Sequence, residues 1–114
     1  MIAPRGVIVA GNLLAALPDA GGAERIETLA ATAGARIERI VSMGQASPEG
    51  FWYDQDDTEY VLLLAGTARL RIAGEDGARV LCPGDYLVLP AHCRHRVEAT
   101  SRDPPAVWLT IHLA

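Results

Sequence analysis

Cysteine is nearly absent, with Cys82 and Cys93 the two in 114 residues. Two thiols in a domain of this length do not make a disulfide framework, so the expected setting is reducing and cytoplasmic. Positive charge is also short: ten Lys and Arg stand against fourteen Asp and Glu, for a formal net charge of −4. That excludes a general nucleic-acid binder, whose footprint is basic, and leaves small ligands open. No apolar run approaches the roughly 20 residues of a membrane span, so no membrane role is expected. The opening run "MIAPRGVIVAGNLLAALPDAGG" is interrupted by Gly11 and Asn12 and has Arg5 as its one cation. It is therefore not read as a signal peptide. Internal repeats and low-complexity tails are lacking too.

What is present is ordinary globular material, 50% apolar and 21% charged. The length suits one domain, whose core can bury roughly two-thirds of the surface of the unfolded chain. The texture changes near residue 35. Residues 1–34 are rich in Ala and Gly and read as an N-terminal helical extension packed on the remainder. Within them, "NLLAALP" reads as a short helical turn with Asn12 as N-cap and Pro18 as stop. In "GAERIETLAATAG", Ile26, Leu29, Ala30 and Ala33 fall at i, i+3, i+4 and i+7, a narrow apolar stripe on a helix that Gly34 would end.

Residues 35–114 read as short strands separated by tight turns. The candidates are "ARIERIVS", "GFWYDQ", "TEYVLLLAG", "TARLRIAG", "ARVLCPGD", "DYLVLPA", "HRVEAT" and "AVWLTIHLA". "TEYVLLLAG" is apolar on both faces and so reads as central. In "TARLRIAG", Ala68, Leu70 and Ile72 share one face and Arg69 and Arg71 the other, and "EDG" then makes a hairpin turn. Seven or eight such strands indicate an all-β sandwich or barrel.

Two of the three histidines lie in "LPAHCRHRVEA". Alternation along the strand puts His95, Val97 and Ala99 on one face and Arg94, Arg96 and Glu98 on the other. The charged set must be solvated, so His95 points inward, either as a satisfied core residue or as a ligand. His92 stands at i−3 from it, and a bend after Pro90 would be needed to bring both to one point. Cys93 lies between them, but three residues without a second cysteine pair give little support for a structural zinc site. The acidic run Asp54, Asp56, Asp57 and Glu59 precedes the central strand; Asp56 and Asp57 read as a solvated loop. Glu59 shares a face with Val61 and Leu63. An inward Glu59 would need a partner, because an unpaired buried carboxylate is costly, and His95 could share a metal with it. In the last strand, Val107, Leu109, Ile111 and Leu113 form the more apolar face and are expected inward. That leaves His112 outside or in a subunit contact; the reverse parity would put Trp108 and His112 in the cavity.

These segments carry a resemblance to the small single-domain cupins, β-barrels of the RmlC-like jelly-roll type. The superfamily's first motif is G-x5-H-x-H-x(3–4)-E-x6-G, and its end is present as Glu59, six residues and Gly66. The second is G-x5-P-x-G-x2-H-x3-N. Here Gly84 is followed after five residues by Pro90, then His92 in the glycine place and His95 in the histidine place. A narrower resemblance is to uncharacterised small cupins that read EGFWYDQ and PAHxRHRV, matched by Glu49–Gln55 and Pro90–Val97. The resemblance covers about residues 36–113 and implies a cupin barrel with a divalent metal. The H-x-H pair is missing: its places fall on Trp52 and Asp54, or on Tyr53 and Gln55, depending on the spacing to Glu59. A metal would then draw on Glu59 and His95 with one or two of Asp54, Gln55 and His92. Such a mixed N/O set suits Zn, Fe, Mn, Co or Ni.

Two functional expectations follow. One is a metal-dependent enzyme on a small molecule, of dioxygenase, isomerase or cyclase type, with Glu59 as ligand or general base and Tyr53 as proton donor at an aromatic mouth of Phe51, Trp52, Tyr53 and Tyr86. The other is a small-ligand binding or sensing barrel without turnover, which the loss of the H-x-H pair favours. Cupin resemblance also implies a homodimer. Fold alone does not choose the reaction.

Overall fold

The computed structural model describes residues 6–114. Eight strands follow one another: β1 Arg25–Ala31, β2 Ala35–Ser42, β3 Thr58–Ala65, β4 Ala68–Ile72, β5 Arg79–Leu81, β6 Tyr86–Leu89, β7 His95–Thr100 and β8 Ala106–Leu113. They form a five-stranded sheet, β1-β2-β8-β3-β6, and a three-stranded sheet, β5-β4-β7, with every pairing antiparallel. The strand that reads as apolar on both faces, β3, is central, between β8 and β6.

No helix occurs among the described residues, and so none long and apolar enough to cross a membrane. The expected helix over "GAERIETLAATAG" is instead strand β1, paired along β2. Helix propensity is a weak prior, and the free edge of β2 offers a complete row of backbone partners. Side chains reinforce the pairing, because Glu27 lies opposite Arg39 and accepts a hydrogen bond from its Nε at 2.7 Å. A register shift between Thr28 and Ala30 carries the strand past the position where the helical spacing was read. At "NLLAALP" the chain makes a hydrogen-bonded turn rather than the expected helical one. Asn12 Oδ1 accepts from the Leu14 amide at 2.8 Å, and the Arg39 guanidinium holds the carbonyls of Leu13 and Ala15. Arg39 sits on the opposite face of β2 from the cavity-lining Glu38 and Ile40, so the N-terminal segment is fastened to the outside of the sheet. "GFWYDQ" is not a full strand; it makes a single bridge, Tyr53 to His95.

The register of the larger sheet sorts its inner face into rows. At one end Arg36, His112 and Glu59 lie side by side, and the next row is Glu38, Thr110 and Val61. The third row, Ile40, Trp108 and Leu63, is apolar. Against it pack Ala68, Leu70 and Leu81 of the smaller sheet to make the core. The expected orientation of β8 is reversed: Trp108, Thr110 and His112 are buried while Leu113 is exposed. Counting apolar residues fails on β8 because its neighbours β2 and β3 supply inward carboxylates, Glu38 and Glu59, that make an inward His112 favourable.

Gly66 links β3 to β4 with φ of +75°, where an added Cβ would lie 2.5 Å from the Pro105 carbonyl oxygen and 2.8 Å from Ala106 Cα. The neighbours include backbone, so they cannot move aside cheaply. Gly66→Ala is expected to destabilise the fold by about 3 kcal/mol or more, measured by urea denaturation. A loss below about 1 kcal/mol would contradict this close approach.

Candidate functional site

The two sheets enclose a cavity of about 240 Å3. Four segments bring polar groups to it. Strand β3 places Glu59 and β7 places His95, which are 8% and 6% exposed. Strand β8 places His112, 5% exposed, and the segment before β3 places Tyr53 and Gln55. Tyr53 is set by a reciprocal backbone pair with His95, at 2.7 and 3.1 Å. The His92 amide donates to the Gln55 carbonyl at 2.7 Å, so the two segments run zipped together. This fixes the parity that the sequence leaves open. Tyr53 and Gln55 face the cavity, while Trp52 and Asp54 do not line it.

His95 Nδ1 lies 2.8 Å from the Cys93 carbonyl oxygen, which can only accept. The proton therefore sits on Nδ1, and Nε2 is turned toward Glu59 Oε1 at 3.3 Å. That contact is an ion pair rather than a well-aligned hydrogen bond and, among the described residues, is the one polar contact of Glu59 Oε1, while Gln55 Oε1 is buried without a donor. Burial works against a charged His95, but the Glu59 carboxylate and the Cys93 carbonyl outweigh it, and its pKa is raised. Burial, followed by the Glu24 and Glu59 carboxylates, raises the pKa of Tyr53 and keeps it a phenol. The Tyr53 ring stacks on the His95 imidazole at 5.2 Å between centroids.

The site also contains residues that sequence reading places elsewhere. His112 directs Nε2 at Glu38 Oε1 and Glu59 Oε2, at 3.3 and 3.8 Å, and Nδ1 at Asp57 Oδ1, at 3.4 Å. Asp57 is thus not simply solvated. Glu38 is held by Arg36 Nε at 3.0 Å. In "ARIERIVS" both faces mix charged and apolar residues, so nothing in that strand marks Glu38 as inward. For His112 a signal existed in the alternation of Trp108, Thr110 and His112.

His92 and Asp54 do not join Glu59 and His95. They pair with each other, Nδ1 to Oδ1 at 2.7 Å, with side chains 64% and 50% exposed. The Asp54 hydrogen bond and charge raise the His92 pKa. His92 takes the left-handed conformation, φ of +63°, at the place where the cupin motif has glycine. The bend after Pro90 therefore turns the imidazole away from the cavity. The expected aromatic mouth reduces to Tyr53, with Phe51 edge-on to it at 4.9 Å. Trp52 lies instead under Arg94 and Arg96, and Tyr86 stacks on Tyr60. Arg96, expected in solvent, donates to the carbonyls of Ser47, Pro48 and Phe51 and so anchors the loop leading to Tyr53. Among the described residues no three His, Cys, Asp or Glu side chains are grouped so as to hold a metal ion.

Comparison with known proteins agrees with this geometry. Residues 40–112 match the cupin domain family. A protein from Ralstonia eutropha, proposed to be a mannose-6-phosphate isomerase, is 45% identical over 93% of this chain and 98% of its own, with a TM-score of 0.90. A cupin superfamily protein from Desulfitobacterium hafniense is 22% identical over 81% of this chain and 78% of its own, with a TM-score of 0.68. KdgF from a Halomonas species is 20% identical, covering 85% and 86%, with a TM-score of 0.67. The last two show the fold alone. No protein of curated function matches the sequence.

The raised His95 pKa has a definite sign. Folding favours the imidazolium, so its stabilising contribution is complete below the unfolded value near 6.5 and is lost as pH rises through the folded value. With chelator present, the wild-type melting temperature is expected to fall relative to that of His95→Gln as pH rises above about 6.5. Parallel profiles for the two proteins would show that the Glu59–His95 contact does not stabilise the imidazolium.

Proposed function

The chain belongs to the cupin-domain family, and from that membership we propose that its barrel binds a small molecule beside a divalent metal held by His95, Glu59 and Gln55. The observation that carries this reading is a surplus of buried acceptors. Glu59 Oε1 is faced by His95 Nε2 alone, at 3.3 Å, Gln55 Oε1 has no donor, and the Cys93 carbonyl keeps a proton on His95 Nδ1. A cation satisfies all three atoms at once, which a neutral wall does not. The mixed N/O set suits Zn, Fe, Mn, Co or Ni. Tyr53 and Gln55 take the places of the two histidines of the first cupin motif. Asp54 and His92 act outside the cavity, as a pair that ties the segment before β3 to the turn before β7.

When bound, the metal would polarise a carbonyl or activate water or dioxygen. The chain's own groups then have separate tasks. Glu59 takes a proton or serves as ligand, Tyr53 keeps its phenolic proton for donation, and the apolar rows around Trp108 exclude water. Isomerase chemistry is one candidate, in view of the Ralstonia relative, alongside dioxygenase and cyclase types. The two free cysteines favour a reducing, cytoplasmic setting. A second copy of the chain suits the exposed Tyr86 and Val88 on the outer face of the larger sheet. A second reading, a ligand-binding barrel without metal, is favoured by the lack of a third His, Cys, Asp or Glu ligand among the described residues.

Elemental analysis of untagged protein, before and after reconstitution, separates the two. About one metal per chain is expected, lost in His95→Ala and Glu59→Ala and bound roughly tenfold more weakly or worse in Gln55→Ala. No metal in a folded wild type leaves the second reading.

A further inference from the structure

The ligand's chemistry can be taken further from the grading of the cavity wall, given the reading that this cavity is the ligand site. Along the larger sheet the wall passes from Arg36, His112 and Glu59 through Thr110 and Val61 to Ile40 and Trp108. Leu70 and Val97 face it from the smaller sheet, deepening the apolar end. A ligand spanning this wall must have a polar head and an apolar body. The volume, about 240 Å3, lies below the roughly 300–1,000 Å3 of sites for drug-sized molecules. The body is therefore compact.

The head is constrained by charge. Glu24, Glu38 and Glu59 all line the cavity, and among the described residues Arg36 is the one permanent cation on its wall. That guanidinium is already committed to Glu38, Nε to Oε2 at 3.0 Å. Glu38 is further engaged by His112 and Thr110, so withdrawing it from Arg36 would disturb three partners. An incoming anion would meet three carboxylates against one guanidinium whose charge Glu38 already balances. The buried acceptors point the same way wherever a metal does not occupy them. Glu59, nine-tenths buried, has one oxygen faced by His95 Nε2 alone, at 3.3 Å, and Gln55 Oε1 has no donor. Beside the Tyr53 phenol, the wall is rich in carboxylate acceptors.

We infer that the ligand is a compact amphiphile, with an apolar body the size of one aromatic ring or a short aliphatic chain and a head that donates hydrogen bonds and carries no negative charge. A sugar phosphate fits neither end: its body is polar, and its phosphate would face three glutamates against one guanidinium already paired with Glu38. The similarity to a protein proposed to act on mannose 6-phosphate therefore does not extend to this chain's substrate class.

Calorimetric titration of the protein as purified, with metal content measured on the same sample, tests this. Benzylamine and benzyl alcohol are the expected binders, with benzoate and mannose 6-phosphate at least about tenfold weaker. Mannose 6-phosphate binding as tightly as the benzyl compounds would overturn the inference. So would the failure of both benzyl compounds in a metal-loaded sample, which leaves the metal assignment intact. Binding of benzylamine by a metal-free sample supports the inference while removing the metal assignment. In Glu38→Gln, Arg36 loses its counter-charge, and the affinity of benzoate relative to benzyl alcohol is expected to rise several-fold. Simple destabilisation would weaken both alike. An unchanged ratio in a folded variant would show that the wall's charge does not choose the head, and would overturn the inference.

Discussion

The reciprocal backbone pair between Tyr53 and His95 is the joint on which the site depends. Tyr53 leads into β3 of the larger sheet, and His95 opens β7 of the smaller one. Two hydrogen bonds between them close one side of the barrel. They also decide which side chains look inward, because alternation from a fixed pair leaves no freedom at Gln55 or Val97. The stacked rings of Tyr53 and His95 fill the corner that the pair makes. Without this joint the two sheets would still pack through Leu63, Leu70 and Trp108, but the polar groups would have no common register.

The cavity sets two demands against each other. A packed core wants every buried polar group satisfied, yet Gln55 leaves an oxygen unpaired and Glu59 has one faced only by the His95 imidazole. The surrounding frame compensates. Arg39 binds the outer turn, Arg96 binds the loop before Tyr53, and Gly66 permits the tight passage from β3 to β4. The polar cost is confined to one end of the barrel, and the apolar rows carry the packing. This division lets the site remain incompletely satisfied in a chain of only 114 residues.

Much of this was legible from the residues. Alternation gives the correct inward sets Ala68, Leu70 and Ile72 and His95 with Val97, because each strand has one face too charged to bury; a register shift places Ala99 opposite the outward Arg69 instead. The two partial motifs placed Glu59 and His95 in one barrel before any coordinates. Other elements were not legible for physical reasons. β1 carries helical spacing, but the open edge of β2 and the Glu27–Arg39 pair override it. His112 was assigned outside because its strand is apolar on the other face, and the deciding partners lie on β2 and β3, far away in sequence. His92 could not be oriented without its backbone conformation, since a positive φ at a non-glycine residue is uncommon.

Each of the three histidines meets an acidic residue from one short stretch: His92 meets Asp54, His95 meets Glu59, and His112 meets Asp57. The stretch "DQDDTE" is thus read three times, from outside, from the cavity and from the neighbouring strand. Its composition has latitude at Asp54 and Asp57, where an amide could keep the contact with the imidazole. Its length has none. Adding or removing a single residue between Asp54 and Glu59 would rotate every later side chain out of phase with its imidazole. Insertions and deletions, rather than substitutions, are what evolution should have kept out of this segment.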